Sequence, residues 1–117
     1  MAIAVEHYQL AGWIVEDVHE AHSYDLVCRR DDQELHVEVK GTTGLGEKVL
    51  LPKNEVAHAQ RQYPNAVLFV VHGIKVGGEN PPQATGGTVR LLWPWDVKQG
   101  QLEPLAFSYV LPKQSLQ

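Results

Sequence analysis

The residues of this chain best suited to chemistry lie in Leu35-His36-Val37-Glu38-Val39-Lys40-Gly41-Thr42 and in Tyr24-Asp25-Leu26 upstream. The first stretch alternates. Leu35, Val37 and Val39 fall on one face of a strand, and His36, Glu38 and Lys40 on the other. Successive residues on one face stand about 7 Å apart, so a carboxylate and an ammonium lie side by side. Asp25 sits in a preceding apolar run with Leu26, Val27 and Cys28, where a lone carboxylate is costly without a partner. A hard divalent ion such as magnesium or manganese prefers oxygen ligands and keeps several waters. Asp25 and Glu38 can each offer a carboxylate oxygen to such an ion, and Val39 its carbonyl. Lys40 then stands beside the metal-bound water, where it can orient that water or stabilise charge developing on a phosphate. Glu6, on the opening segment, is a candidate outer carboxylate.

The elements that must position these groups follow from periodicity. Residues 1–11 are expected as a short amphipathic helix with Ile3, His7, Leu10 and Ala11 on one stripe and Gly12 as its stop. Three strands follow, at 13–18, 24–30 and 34–40, the last two joined by a turn at Asp31-Asp32-Gln33. Residues 41–46 are expected as a flexible loop and 47–51 as a short extra strand. A second helix starts at Pro52-Lys53-Asn54-Glu55, with Val56, Ala59 and Tyr63 at helical spacing. Residues 66–72 form the most hydrophobic run, a buried central strand. A Gly- and Pro-rich loop is expected over 73–87, including Gly77-Gly78 and Pro81-Pro82, then a strand over 88–93 and an edge strand over 102–111. Residues 113–117 are expected to fray. The order helix, three strands, helix, strand implies an α+β or mixed α/β fold, its sheet covered by two helices.

Bulk properties bound the function. With 117 residues, 44% hydrophobic and 21% charged, the chain reads as one globular domain, 1–117. No apolar run has the length of a membrane span and no signal sequence is evident, so a cytoplasmic protein is expected. The single Cys28 makes no internal disulfide and reads as a buried strand residue. A net charge of −4 argues against a nucleic-acid coat protein. It does not argue against a metal-dependent nuclease, which gathers carboxylates around its ion. A partner or a homodimer would then supply basic surface.

The order Glu6, Tyr24-Asp25-Leu26, Glu38-Val39-Lys40 resembles the PD-(D/E)xK nuclease superfamily, whose fold restriction enzymes and Holliday-junction resolvases share. More closely, Gly12-Trp13-Ile14-Val15, Ser23-Tyr24-Asp25-Leu26, His36 through Thr42, and Asn54-Glu55 resemble the domain of unknown function at the C-terminus of the plant NO VEIN protein. Bacterial relatives of that domain occur beside helicases and restriction-type ATPases. The resemblance covers residues 1–76, the expected core; 77–117 add a loop and extra strands without a matching motif. It implies a restriction-endonuclease-like core, αβββαβ, with Asp25 and Glu38 as metal ligands, Lys40 as the catalytic lysine and Glu6 in the first-helix acid position. Tyr24 stands where the superfamily name has proline, and Ser23 where the closer family often has glycine.

Other residues carry weaker signals. Thr42 and Thr43, and Lys48, Lys53 and Asn54, are candidates for contact with a DNA or RNA backbone, as are Gln60 and Arg61. His36 shares the face of Glu38 and can line a cleft. His19, His22, His58 and His72 read as surface or strand-end histidines, and Trp93 and Trp95 as packing residues around Pro94. The function that results is magnesium-dependent hydrolysis of DNA, in restriction or DNA processing. The alternative is an inactive nuclease-fold module that binds nucleic acid or protein.

Overall fold

A computed structural model describes residues 1–78, 81 and 83–113. Helix α1 (Ala2–Leu10) leads into three antiparallel strands, β1 (Ile14–Asp17), β2 (Leu26–Arg30) and β3 (Gln33–Gly41). Helix α2 (Lys53–Gln62) then crosses to β4 (Ala66–His72), which pairs parallel with β3. A small hairpin, β5 (Lys75–Gly77) and β6 (Gln83–Thr85), precedes β7 (Thr88–Leu92), which lies antiparallel to β4. The sheet order is β1-β2-β3-β4-β7, a mixed sheet flanked by helices, with the αβββαβ order of a restriction-endonuclease-like core.

Both faces of β4 are buried, which explains its unbroken apolar sequence. Val67, Phe69 and Val71 pack with Leu26, Cys28, Leu35 and Val37 under α1. Ala66, Leu68 and Val70 pack with Ala59, Trp95 and Val97 on the α2 side. Burial pushes the Cys28 thiol up to about 12, so it is an inert core group. His36, Glu38 and Lys40 pair in register with Ala66, Leu68 and Val70. The polar row of β3 therefore runs beside an apolar row of β4, beneath α2.

The structure corrects several local expectations. The buried stripe of α1 is Ala4 and Tyr8; Ile3 and Leu10 are exposed, Leu10 at 81%. Small Ala4 lets the helix approach closely, and the Tyr8 ring meets Phe69 and, edge-on, Trp13. Gly12 does end the helix, at φ +88°. The β2 ladder starts at Leu26, so Tyr24 and Asp25 precede it. Residues 47–51 form no strand, because Val49 and Leu51 turn inward to the α2-side core instead of pairing. The 41–46 loop is tied to the end of β4: Thr42 N–H donates to Val71 C=O, and Gly73 N–H to Gly44 C=O. Tyr63 is exposed, while Val56 and Ala59 carry the packing of α2.

The 73–87 segment contains the β5–β6 hairpin; Pro82 and residues 79–80, part of the expected loop, lie outside the described residues. Trp95 joins the core, whereas Trp93 is 45% exposed. Residues 101–113 form no edge strand and leave Phe107, Tyr109 and Val110 exposed. Residues 114–117, expected to fray, lie outside the described residues. Among the described residues no helix is long and apolar enough to cross a membrane.

The position of α1 is testable by paired truncations. Tyr8→Ala is expected to lower unfolding free energy by roughly 3–5 kcal/mol. Leu10→Ala should stay within about 0.5 kcal/mol of the parent in urea denaturation. Equal effects would put the wrong stripe against the sheet.

Candidate active site

The site forms where β2 and β3 separate. Along β3 the even-numbered residues turn their backbone groups to β4: His36 N–H donates to Asn65 C=O, and Thr42 N–H to Val71 C=O. The N–H and C=O of Val39 therefore face β2. That ladder ends at Leu26 opposite Val37, although Asp25 N–H still donates to Val37 C=O. Asp25 fills the gap with its side chain, and Oδ2 accepts from Val39 N–H at 2.8 Å. The Val39 carbonyl is left pointing into the same gap.

Among the described residues, Glu38 is the buried charged residue, 5% exposed. Its carboxyl is pushed up to about 9, first by burial, then by a hydrogen bond shared with Asp25 and by repulsion from Asp25 and Glu55; Lys40 acts in the opposite direction. Lys40 Nζ lies 3.6 Å from Glu38 Oε1. It donates to both oxygens of Glu55, at 2.6 and 3.2 Å. Asp25, Glu38 and Lys40 thus converge as their spacing suggested.

Glu55 joins them from the first turn of α2. Its sequence position suggests a helix start, where acids are common, and Asn54-Glu55 is one of the resembling motifs, with no role given to Glu55. Its contact with Lys40 arises because the crossover of α2 lays that turn over β3. Glu6 is not brought to the cluster. It is exposed on α1, whose buried residues pack on the opposite sheet face.

Histidines build a second layer that spacing did not reveal. His36 Nδ1 and His58 Nε2 are 2.8 Å apart, and His36 Nε2 is 2.9 Å from Glu34 Oε2. His36 and Arg29 hold Glu34 below its usual carboxylate range. An ionised Glu34 only accepts, so His36 donates to it from Nε2, and a second hydrogen bond joins His36 Nδ1 to His58 Nε2. Burial, and then His36, lower the pKa of His58. His58 is thus a half-buried partner of His36, not helix surface. Tyr24 stacks on both rings, and these three line one small pocket with Ser23, Glu38, Glu55 and Trp95.

The candidate backbone contacts are dispersed. Thr42 Oγ1 accepts from Gly44 N–H, and Thr43 is exposed beside it. Lys48 pairs with Glu103. Lys53 is exposed on the first turn of α2, and Asn54 donates to Ser23 Oγ.

Among the described residues no group of three or more His, Cys, Asp and Glu is arranged to hold a metal ion. The donor set is instead two carboxylates and a peptide carbonyl. This fits a magnesium-like ion, whose shell is completed largely by water. The raised Glu38 reports burial first and crowded negative charge second, and a cation would relieve the latter.

The fold and site together define a restriction-endonuclease-like α/β core carrying two carboxylates and a lysine where the segment before β2 meets β3. Residues 1–85, well over half of the chain, match the family model described as Protein NO VEIN, C-terminal, and the chain belongs to that family. The match ends at β6, so β7 and Trp95 lie beyond it. No curated protein and no solved structure matches the chain.

The Glu38 proton has a measurable consequence. Its folded-state pKa of about 9 lies above the ordinary 4.5. The folded protein therefore keeps a proton that the unfolded chain releases. That contribution to stability is full below pH 4.5 and is lost as pH rises through about 9. In metal-free buffer, stability should fall between about pH 5 and pH 8 by up to roughly 1.4 kcal/mol per pH unit. Glu38→Gln, which retains a donor but does not titrate, should flatten that slope in urea melts. Identical slopes would show that Glu38 does not carry the proton.

Proposed function

We propose that this chain is a magnesium- or manganese-dependent phosphodiesterase domain acting on DNA, in restriction or DNA processing in the cytoplasm. The observation that carries the reading is the convergence of Asp25, Glu38 and Lys40 where β2 leaves β3, with Asp25 bonded to Val39 N–H. Asp25, Glu38 and the Val39 carbonyl would hold the ion. When bound, it supplies Lewis-acid polarisation of a phosphate and a water of lowered pKa.

The remaining roles belong to the chain. Asp25 is oriented by the Val39 N–H, which fixes the carboxylate that faces the gap. Glu38 gives up its proton once its negative neighbours are balanced, which makes both oxygens available. Lys40 places a positive charge next to Glu38, where charge on a phosphate would develop. Glu55 holds that ammonium in place through two hydrogen bonds. With a net charge of −4, capture of long duplex falls to a partner, a helicase-type ATPase or a second copy.

A second reading is a catalytically inactive module of the same fold. The tight Lys40–Glu55 pair favours it, since a lysine already neutralised is less available to substrate. One experiment separates the two. Purified protein is incubated with supercoiled, linear and single-stranded DNA, and with RNA, in magnesium, manganese or chelator. Metal-dependent cleavage is expected. It should drop at least about 100-fold in Lys40→Ala and Asp25→Asn, with circular dichroism unchanged. A wild type that cleaves none of these forms with either ion overturns the enzyme reading.

A further inference from the structure

The rings beside the site form layers. His36 and His58 lie nearly coplanar, at 12°, joined edge to edge by their 2.8 Å hydrogen bond. Tyr24 stacks on this pair, with ring centroids 4.0 and 4.3 Å away. His22 lies against Tyr24 with ring centroids 5.0 Å apart and planes within 10°, a parallel and offset neighbour. His22 is exposed, which leaves its outer face as the open end of the stack. A flat ring with one free face, backed by three more, suits an unstacked nucleobase. A base inside a duplex has both faces occupied and cannot use it.

Beside the stack runs a cationic stripe. Lys53, Ala57 and Arg61 recur every four residues on α2 and, with Ser23 and Asn54, line one surface depression. Among the described residues neither Lys53 nor Arg61 is in an ion pair, whereas Arg29, Lys40 and Lys48 all are. Eight residues of helix set the two cations about 12 Å apart, enough to meet separate backbone phosphates. Ala57 between them keeps the floor low. Ser23 also lines the small pocket that holds Glu38, Glu55 and the rings, and its Oγ accepts from Asn54. The depression and the site therefore meet at one residue.

We propose that His22 and the Lys53–Arg61 stripe form a docking track for single-stranded nucleic acid, one that delivers an unpaired strand to the carboxylate–lysine site. What the track delivers rests on the nuclease reading; its binding does not. Two of the cations that no carboxylate pairs, Lys53 and Arg61, thus lie together on one helix face of an acidic chain.

The test is fluorescence anisotropy in chelator with labelled oligothymidine, oligouridine and a hairpin duplex. The single strands should bind more tightly than the duplex, and the two of them distinguish DNA from RNA as the source. His22→Ala should weaken single-strand binding about tenfold, and His22→Phe should restore it. Lys53→Ala with Arg61→Ala should reduce the salt slope of log affinity by about 1.4. Equal affinity for the duplex, or an unchanged His22→Ala, overturns the track. The two readings fail separately. Binding that depends on His22 without cleavage refutes only the nuclease reading; cleavage by a protein whose binding ignores His22 refutes only the track.

Discussion

The parallel pairing of β3 with β4 is the constraint on which the site depends. Parallel neighbours cannot be joined by a tight turn, so the chain must cross over one face of the sheet. Here the crossover is α2, and the covered face carries His36, Glu38 and Lys40. Glu55 and His58, fifteen to twenty-two residues away in sequence from any of these partners, arrive above them only by that route. An antiparallel return would have left the polar row of β3 in water, where Glu38 and Lys40 would be an ordinary exposed pair.

Covering that row changes the chemistry of its charges. A buried carboxylate beside two others is unfavourable in its ionised form, which is why Glu38 holds its proton far above the usual range. The single ammonium nearby is shared between Glu38 and Glu55, and lies closer to Glu55. Three carboxyl groups against one cation leave the cluster short of positive charge. A site of this balance is stable when one carboxyl is neutral.

The ring layer solves a different problem on the same face. The chain from Glu34 through His36 to His58 gives both ring nitrogens of His36, and Nε2 of His58, a partner. Tyr24 covers the pair, so these polar rings close the outer side of the pocket without an apolar lid. The acidic cluster thereby sits between an apolar core, with Trp95 and Ala59, and a stacked aromatic wall.

Much of the fold was written in local pattern. Alternation along 35–40 placed Leu35 and Val37 inward and Glu38 and Lys40 together, and the apolar run 66–72 marked β4 to the residue. Asp25 stood out because a carboxylate in an apolar run needs a partner. Where the pattern misled, packing overrode it. Helical spacing favoured Ile3 and Leu10, yet the sheet accepts the face with Ala4 and Tyr8, since a small residue permits close approach. Apolar residues over 47–51 and 102–111 looked like strands, but Val49 and Leu51 pack into the α2-side core and 102–111 pairs with no strand of the sheet. The sequence by itself determined which residues alternate, the two helices with β1 to β4 and β7, and that Asp25, Glu38 and Lys40 belong together. Only the tertiary structure decided that Glu55 clamps Lys40, that Glu6 stays on the far face, and that four rings stack beside them. Periodicity reports one element at a time, and these relations exist only between elements.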